Sequence, residues 1–247
     1  MTMVAVINPP RLPSIDLSLF DIGDPWRDHV AAQVDWAASS FGVFQLLGHG
    51  VDSALIDTLA ELGSKYVRYG SDNLPGFHDT VREYTTTMTG LGHRLMTTMA
   101  RGLHLDDSFF VDRYSGNPVT SLRIRERVVS GEEGTADRGL LTIVKLGDTG
   151  GQQVQLDGQW LEVTAQPGAL LCYVGPVLER LTQGHYVSAE RRLSLGSTAD
   201  RPSISFAFEP ALQAVLTPVS GVSPRPVVTG ASPQSQWASR YAFEARC

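Results

Sequence analysis

At 247 residues, with 42% hydrophobic residues and a formal charge of −6, the chain can bury a core of its own. It is too acidic for a surface built to hold nucleic acid or an anionic bilayer. Two cysteines give no disulfide framework: Cys172 falls inside the apolar run 169–174 and reads as a small core residue, and Cys247 is the last residue. No charged-then-apolar leader and no run of about 18 apolar residues occurs, so a soluble, cytoplasmic protein is expected.

In chain order, the first helix signal is Asp24-Pro25, an N-cap aspartate followed by proline at the first helical position. Trp26, Val30, Val34, Ala37 and Ala38 then recur on one face. A second helix is expected after Asp52, through Leu55, Ile56, Leu59 and Leu62. A longer one is expected from Phe77 to Gly102, with Val81, Tyr84, Met88, Leu91, Leu95 and Met99 as its buried stripe. After residue 119 the pattern changes to short β-branched and apolar runs broken by Gly, Pro and Asp. Helices followed by about eight strands suit an α+β, mainly β fold: a double-stranded β-helix (jelly-roll) barrel backed by N-terminal helices. The expected organisation is one structural unit, with a helical and strand region at 1–118, a jelly-roll core at 119–218 and an extension at 219–247. The stretch from Val219 to Gln236, rich in Pro, Ser, Val and Gly, reads as an extended surface wrap.

Several segments carry a resemblance. Leu12 to Ser18 reads like an opening strand, and Phe41-Gly42-Val43-Phe44, followed by Gly48-His49-Gly50, resembles a Gly-Phe-Phe-x-x-x-Asn-His-Gly signature with Gly48 in place of Asn. Gly150-Gly151-Gln152, Gly158-Gln159-Trp160, Pro167-Gly168-Ala169, Leu178 to Gly184 and Arg201-Pro202-Ser203 follow in order. Together they resemble the iron(II)- and 2-oxoglutarate-dependent oxygenases, in the isopenicillin N synthase-like branch. That resemblance implies a jelly roll, Fe(II) held by a His-x-Asp pair and a downstream histidine, and 2-oxoglutarate gripped by Arg-x-Ser.

The ligand positions depart from the pattern. Thr135-Ala136-Asp137 keeps only the carboxylate, and Tyr186-Val187-Ser188-Ala189-Glu190-Arg191-Arg192 places Arg191 where the second histidine belongs. A facial triad needs two imidazoles and a carboxylate, and a guanidinium has no lone pair to give. Arg127 stands at the position of the family's tyrosine, Val174-Gly175-Pro176 replaces Ile-Gly-Asp, and the substrate-covering segment is missing around Lys65 to Phe77.

On these residues the expected site has Asp137 and Arg191 facing each other as an ion pair in the space of the metal, with Arg127 as a further cation. The pair reads either as part of a reacting site or as a plug without chemistry. Arg201 and Ser203 are expected to bind a carboxylate; otherwise Arg201 is a structural partner of Glu209 or Asp200. Arg125 and Glu190 are further candidate substrate contacts, with Arg125 also open to a solvated surface role. Alternative iron ligands, drawn from His185, Glu190, Glu132 and Glu133, lack ligand spacing, and His49 reads as a hydrogen-bonded structural histidine.

Three functions remain open. The preferred one is a metal-independent, non-oxidative catalyst (cyclisation, isomerisation, elimination or pericyclic closure) in small-molecule natural-product biosynthesis, with no cofactor. The others are a non-catalytic ligand-binding or partner subunit of an active oxygenase, and an iron-dependent oxygenase with unusual ligands. In each, the ligand is a small molecule carrying a carboxylate or other anionic group, a protein partner is left open, and no nucleic acid or membrane is involved.

Overall fold

Ridges of buried apolar residues organise the chain into a six-stranded sheet with helices on one face and a small second sheet on the other. This computed structural model describes residues 12–70, 74–127, 139–147, 152–156, 159–193 and 198–222. Strand β1 (Ser14–Asp16) leads through a short 3-10 turn into helix α1 (Trp26–Ser40), then β2 (Val43–Leu47), α2 (Ser53–Tyr69) and α3 (Phe77–Gly102). The barrel strands follow: β3 (Val119–Arg127), β4 (Leu141–Lys145), β5 (Gln152–Leu156), β6 (Gln159–Glu162) and β7 (Leu170–Val174). The short helix α4 (Pro176–Leu181) then precedes β8 (Arg191–Leu193) and β9 (Thr198–Glu209). The larger sheet runs β1-β2-β7-β4-β9-β3 and the smaller β6-β5-β8. This is the expected jelly roll with helical backing.

Strand alternation gives the larger sheet two distinct faces. Phe44, Cys172, Ile143, Ile204, Phe206 and Phe208 are buried against the helices, where Met88, Leu95 and Met99 of α3 meet them. Val43, Val144, Leu171 and Tyr173 point the other way and pack with Val154 of β5 and Val163 between the two sheets. By the same alternation, Thr142, Ser203, Ser205 and Ala207 line the inner face. Cys172 is buried in the core, as its apolar run implies.

The helices follow their periodicity with one local difference. Helix α1 begins at Trp26 with Pro25 in the cap position and no side-chain cap. Asp24, expected to cap it, instead pairs with Arg101 near the end of α3, which also takes Asp28 at 2.5 Å and Asp107 at 3.2 Å. A long-range cation therefore outcompetes the local amide for that carboxylate. Asp52 does cap α2, accepting from the Ala54 N–H at 2.8 Å. Helices α2 and α3 pack on each other, with Tyr66 of α2 stacked on Phe77 of α3 at 4.9 Å. Val219, the first residue of the expected surface wrap, is instead buried, and its N–H donates to Leu181 O at 2.8 Å. The rest of that stretch beyond residue 222 lies outside the described residues.

Candidate functional site in the barrel

Arg191 opens β8 and pairs with Val154 of β5. Its guanidinium lies 4.7 Å from the centre of the Tyr173 ring, on the inner face of β7, so it points into the barrel as the resemblance requires. Arg192 turns outward, stacking on Trp160 at 4.1 Å and donating to Gln153 Oε1 at 2.8 Å. The stretch before Arg191 is fixed by backbone contacts. Val187 N–H donates to Ala38 O at 3.1 Å, and Gln155 N–H donates to Glu190 O at 2.9 Å. Gly42 (φ +66°) lets this stretch lie flat on the end of α1, since a Cβ there would sit 2.8 Å from Ala189 N.

The other ligand segment ends at Gly139 and Leu140. Leu140 N–H donates to Phe208 O at 2.9 Å and Gly175 N–H to Leu140 O at 2.8 Å, so the residues after the carboxylate are clamped between β7 and β9. Asp137 and Thr135 themselves lie outside the described residues, and the expected Asp137–Arg191 pair with them, as do Glu132 and Glu133.

On β9, Ser203 is half-buried on the inner face and pairs directly with Arg125 of β3, and Ser205 pairs with Arg123. The register then jumps: Arg127 pairs with Thr198, leaving Arg201 in an irregular stretch of β9 between the two regular pairings. The side chains of Arg127 and Arg201 lie outside the described residues. Glu209 occupies the far end of the same strand, about 26 Å from Arg201 at strand rise, which removes it as that arginine's partner. Glu190 is half-buried beside Arg191. Thr142, Tyr173 and Arg123 also face the barrel interior. Sequence reading missed them because facing is decided by strand register rather than by motif.

Three of the six histidines are committed elsewhere. Val51 N–H donates to His49 Nδ1 at 3.1 Å, so the proton must sit on Nε2, which donates to Gly168 O at 2.9 Å. Both ring nitrogens of this signature histidine are therefore used in tying β2 to the turn before β7. His185 Nε2 bonds Asp35 Oδ1 at 2.8 Å and His93 Nε2 bonds Ser115 O at 2.6 Å. Among the described residues, no three of His, Cys, Asp and Glu gather as a metal site. Next to His185, burial and then the Asp35 carboxylate push the Tyr186 phenol well up, and its O–H donates to Met99 O at 3.0 Å.

Glu179 of α4 accepts the Ser188 N–H, but burial outweighs that bond and raises its carboxyl above the ordinary value. The folded chain therefore holds this proton to a higher pH than the unfolded chain does. The group's contribution to stability is full at acid pH and is lost as pH rises from about 4.3 through the raised folded value. Glu179→Gln keeps an acceptor for Ser188 and removes the titration. It is expected to melt higher than the parent at pH 7, with a flatter profile above pH 4, in thermal unfolding followed by circular dichroism. Parallel profiles for both proteins would refute this role.

The comparisons agree with the fold and cover the N-terminal region and the barrel. Residues 12–69 match a model for the N-terminal region of non-haem dioxygenases in morphine synthesis, and residues 106–210 match that of the 2OG-Fe(II) oxygenase superfamily. A probable iron/ascorbate oxidoreductase of Dictyostelium discoideum is 24% identical over 86% of this chain and 85% of its own length. Flavanone 3-dioxygenase 2 of Oryza sativa subsp. japonica is 26% identical over 81% of this chain and 74% of its own. In structure, a full-length Neurospora crassa protein, solved in complex with α-ketoglutarate, superposes with a TM-score of 0.77 at 18% identity, over 90% of this chain and 92% of that one.

Two expectations are corrected by these findings. A metal-independent, non-oxidative catalyst does not fit relatives named as iron-using oxidoreductases and dioxygenases, matched along most of the chain. Nor does the expectation of no cofactor fit a structural neighbour that holds α-ketoglutarate in the same fold. The lost histidines were read as loss of chemistry, whereas the surrounding barrel has the fold of the oxygenases. No helix among the described residues is long and apolar enough to cross a membrane. With its N-terminal region and its barrel matched by models of this group and its fold shared with a solved α-ketoglutarate-bound protein, the chain belongs to the iron(II)- and 2-oxoglutarate-dependent oxygenase superfamily.

Proposed function

We propose that the chain is an iron(II)- and 2-oxoglutarate-dependent oxygenase of a small organic molecule, with a metal ligation that departs from the family's two histidines and one carboxylate. The observation that carries this reading is the continuity of the likeness, over 81–86% of the chain, to proteins named for oxidative chemistry. The inward placement of Ser203 in the Arg-x-Ser strand supports it. The residues present do not fit the family's own centre. Arg191, at the second histidine position, presents a guanidinium to the Tyr173 ring and has no lone pair for a metal.

The chain's own residues do the rest. Asp137 is the one family ligand retained. Arg201 and Ser203 grip the distal carboxylate of 2-oxoglutarate, the arginine through its planar fork. Arg191, held over Tyr173, fixes a positive charge on the inner wall that draws anions into the barrel. The apolar cluster of Val144, Leu171 and Val154 behind it keeps water from that wall.

Anaerobic titration of the metal-stripped protein with Fe(II) in the presence of 2-oxoglutarate tests the proposal. The expected result is a metal-to-ligand charge-transfer band that saturates at one iron per chain. A folded protein that develops no band would overturn it.

A further inference from the structure

The register between β3 and β9 places a pair of cations side by side on one face of β3. Leu122 and Ile124 of β3 pack on the helical side, Ile124 closely enough to meet Gly63 of α2. Ser121, Arg123 and Arg125 therefore face the barrel interior. Arg125 stands directly across from Ser203, and Arg123 directly across from Ser205. Cross-strand neighbours of this kind have Cβ atoms about 5 Å apart. The two arginines are separated along β3 by about 6.6 Å, a spacing that lets two guanidinium forks converge on one carboxylate. The residues opposite them supply hydroxyls, which can donate to the same anion. Among the described residues, strand β3 is the outermost strand of the six-stranded sheet, which places this face at the edge of the barrel. Arg123 is exposed and Arg125 half-buried, which orders them from entrance to interior.

We propose that Arg123 and Arg125, with Ser205, form a carboxylate subsite for the organic substrate, beside the position that Arg201 and Ser203 give to the cosubstrate. The inference rests on the small-molecule oxygenase reading for its choice of substrate over regulator. It deepens that reading by naming the substrate class: an organic acid whose carboxylate enters last and stays near the edge of the barrel. The close Arg125–Ser203 pairing makes the two anion positions neighbours, so one bound acid helps orient the other.

Phenylacetate and its uncharged counterpart phenylacetamide serve as probes, followed by ligand-observed NMR on the full-length protein with and without saturating 2-oxoglutarate. The expected result is that phenylacetate binds, phenylacetamide binds at least about tenfold more weakly, and 2-oxoglutarate does not displace the acid. Loss of a charge-assisted hydrogen bond is worth that factor. Arg125→Gln should weaken phenylacetate by at least about tenfold, with Arg125→Lys recovering part of the loss. Unchanged melting temperatures would show that each variant is folded, and Arg123→Gln gives a second, more exposed variant. Equal binding of acid and amide, no binding of the acid, no effect of Arg125→Gln, or displacement of the acid by 2-oxoglutarate would each overturn the subsite. Failure of 2-oxoglutarate and Fe(II) to bind while phenylacetate still binds in an Arg125-dependent way would instead overturn the oxygenase reading and leave the subsite standing.

Discussion

Gly175→Ala is expected to destabilise the fold by about 3 kcal/mol, the upper end of the cost of overpacking, as read from urea unfolding. The cause is steric rather than conformational. Gly175 has φ −89° and ψ 159°, an extended backbone that alanine adopts freely. An added Cβ, however, would meet Gly139 O inside van der Waals contact and would lie 2.7 Å from Gly139 C and 3.1 Å from Leu140 O. All are backbone atoms, and none can turn away as a side chain would. They are also held from the far side, because a Cβ on Gly139 would already be 2.7 Å from Phe208 O. Relief needs β4 to move away from β7 or β9, and each of those ladders has several paired residues. Gly168→Ala is a matched control: its φ of +74° strains an alanine, yet nothing stands within 4 Å of the new methyl. It should cost only about 1 kcal/mol, the price of a left-handed alanine. If Gly175→Ala costs no more than this control, the clamp on the segment following Asp137 is not what the contacts suggest.

Much of this architecture was legible in the residues, and the parts that were not share a cause. Helices α2 and α3 could be read because their apolar residues recur at helical spacing, and Asp52 caps where a local signal should. Asp24 failed as a cap because Arg101, far along the chain, takes its carboxylate. The inward aim of Arg191 followed from its place in a motif, and the structure shows it against Tyr173. Arg123, Thr142 and Tyr173 were invisible as site residues, since only the pairing register decides which face each one takes. The register jump between Arg125 and Arg127, a step of two residues on β3 against five on β9, is likewise invisible in a motif. The chemistry was misread for a different reason. Two missing histidines bear on the metal's ligands, while the fold, the Arg-x-Ser strand and the relatives bear on the reaction class.

Restoring the missing imidazoles should change iron binding more than any other substitution in the barrel. The double variant Thr135→His/Arg191→His is expected to bind Fe(II) at least about 100-fold more tightly than the parent in anaerobic titration. Changes to groups that merely orient metal ligands already shift affinity by about 10–100-fold, and here two ligands are added to the retained Asp137. Removing Arg191 also removes a permanent positive charge from a position that must accept a dication. Its present place supports the argument: β8 is fixed to β5 through Val154 and its side chain reaches the inner face of β7. An imidazole there starts from the same Cβ and has a shorter reach, which leaves room for an ion between it and the wall. Arg191→Ala separates the two contributions, since it relieves the repulsion without supplying a ligand. It should gain less than Arg191→His does. Equal gains from alanine and histidine would mean that position 191 acts by charge alone and that iron is held by residues away from β8. No gain from the double variant would show that the parent's ligand set is already complete without these two positions.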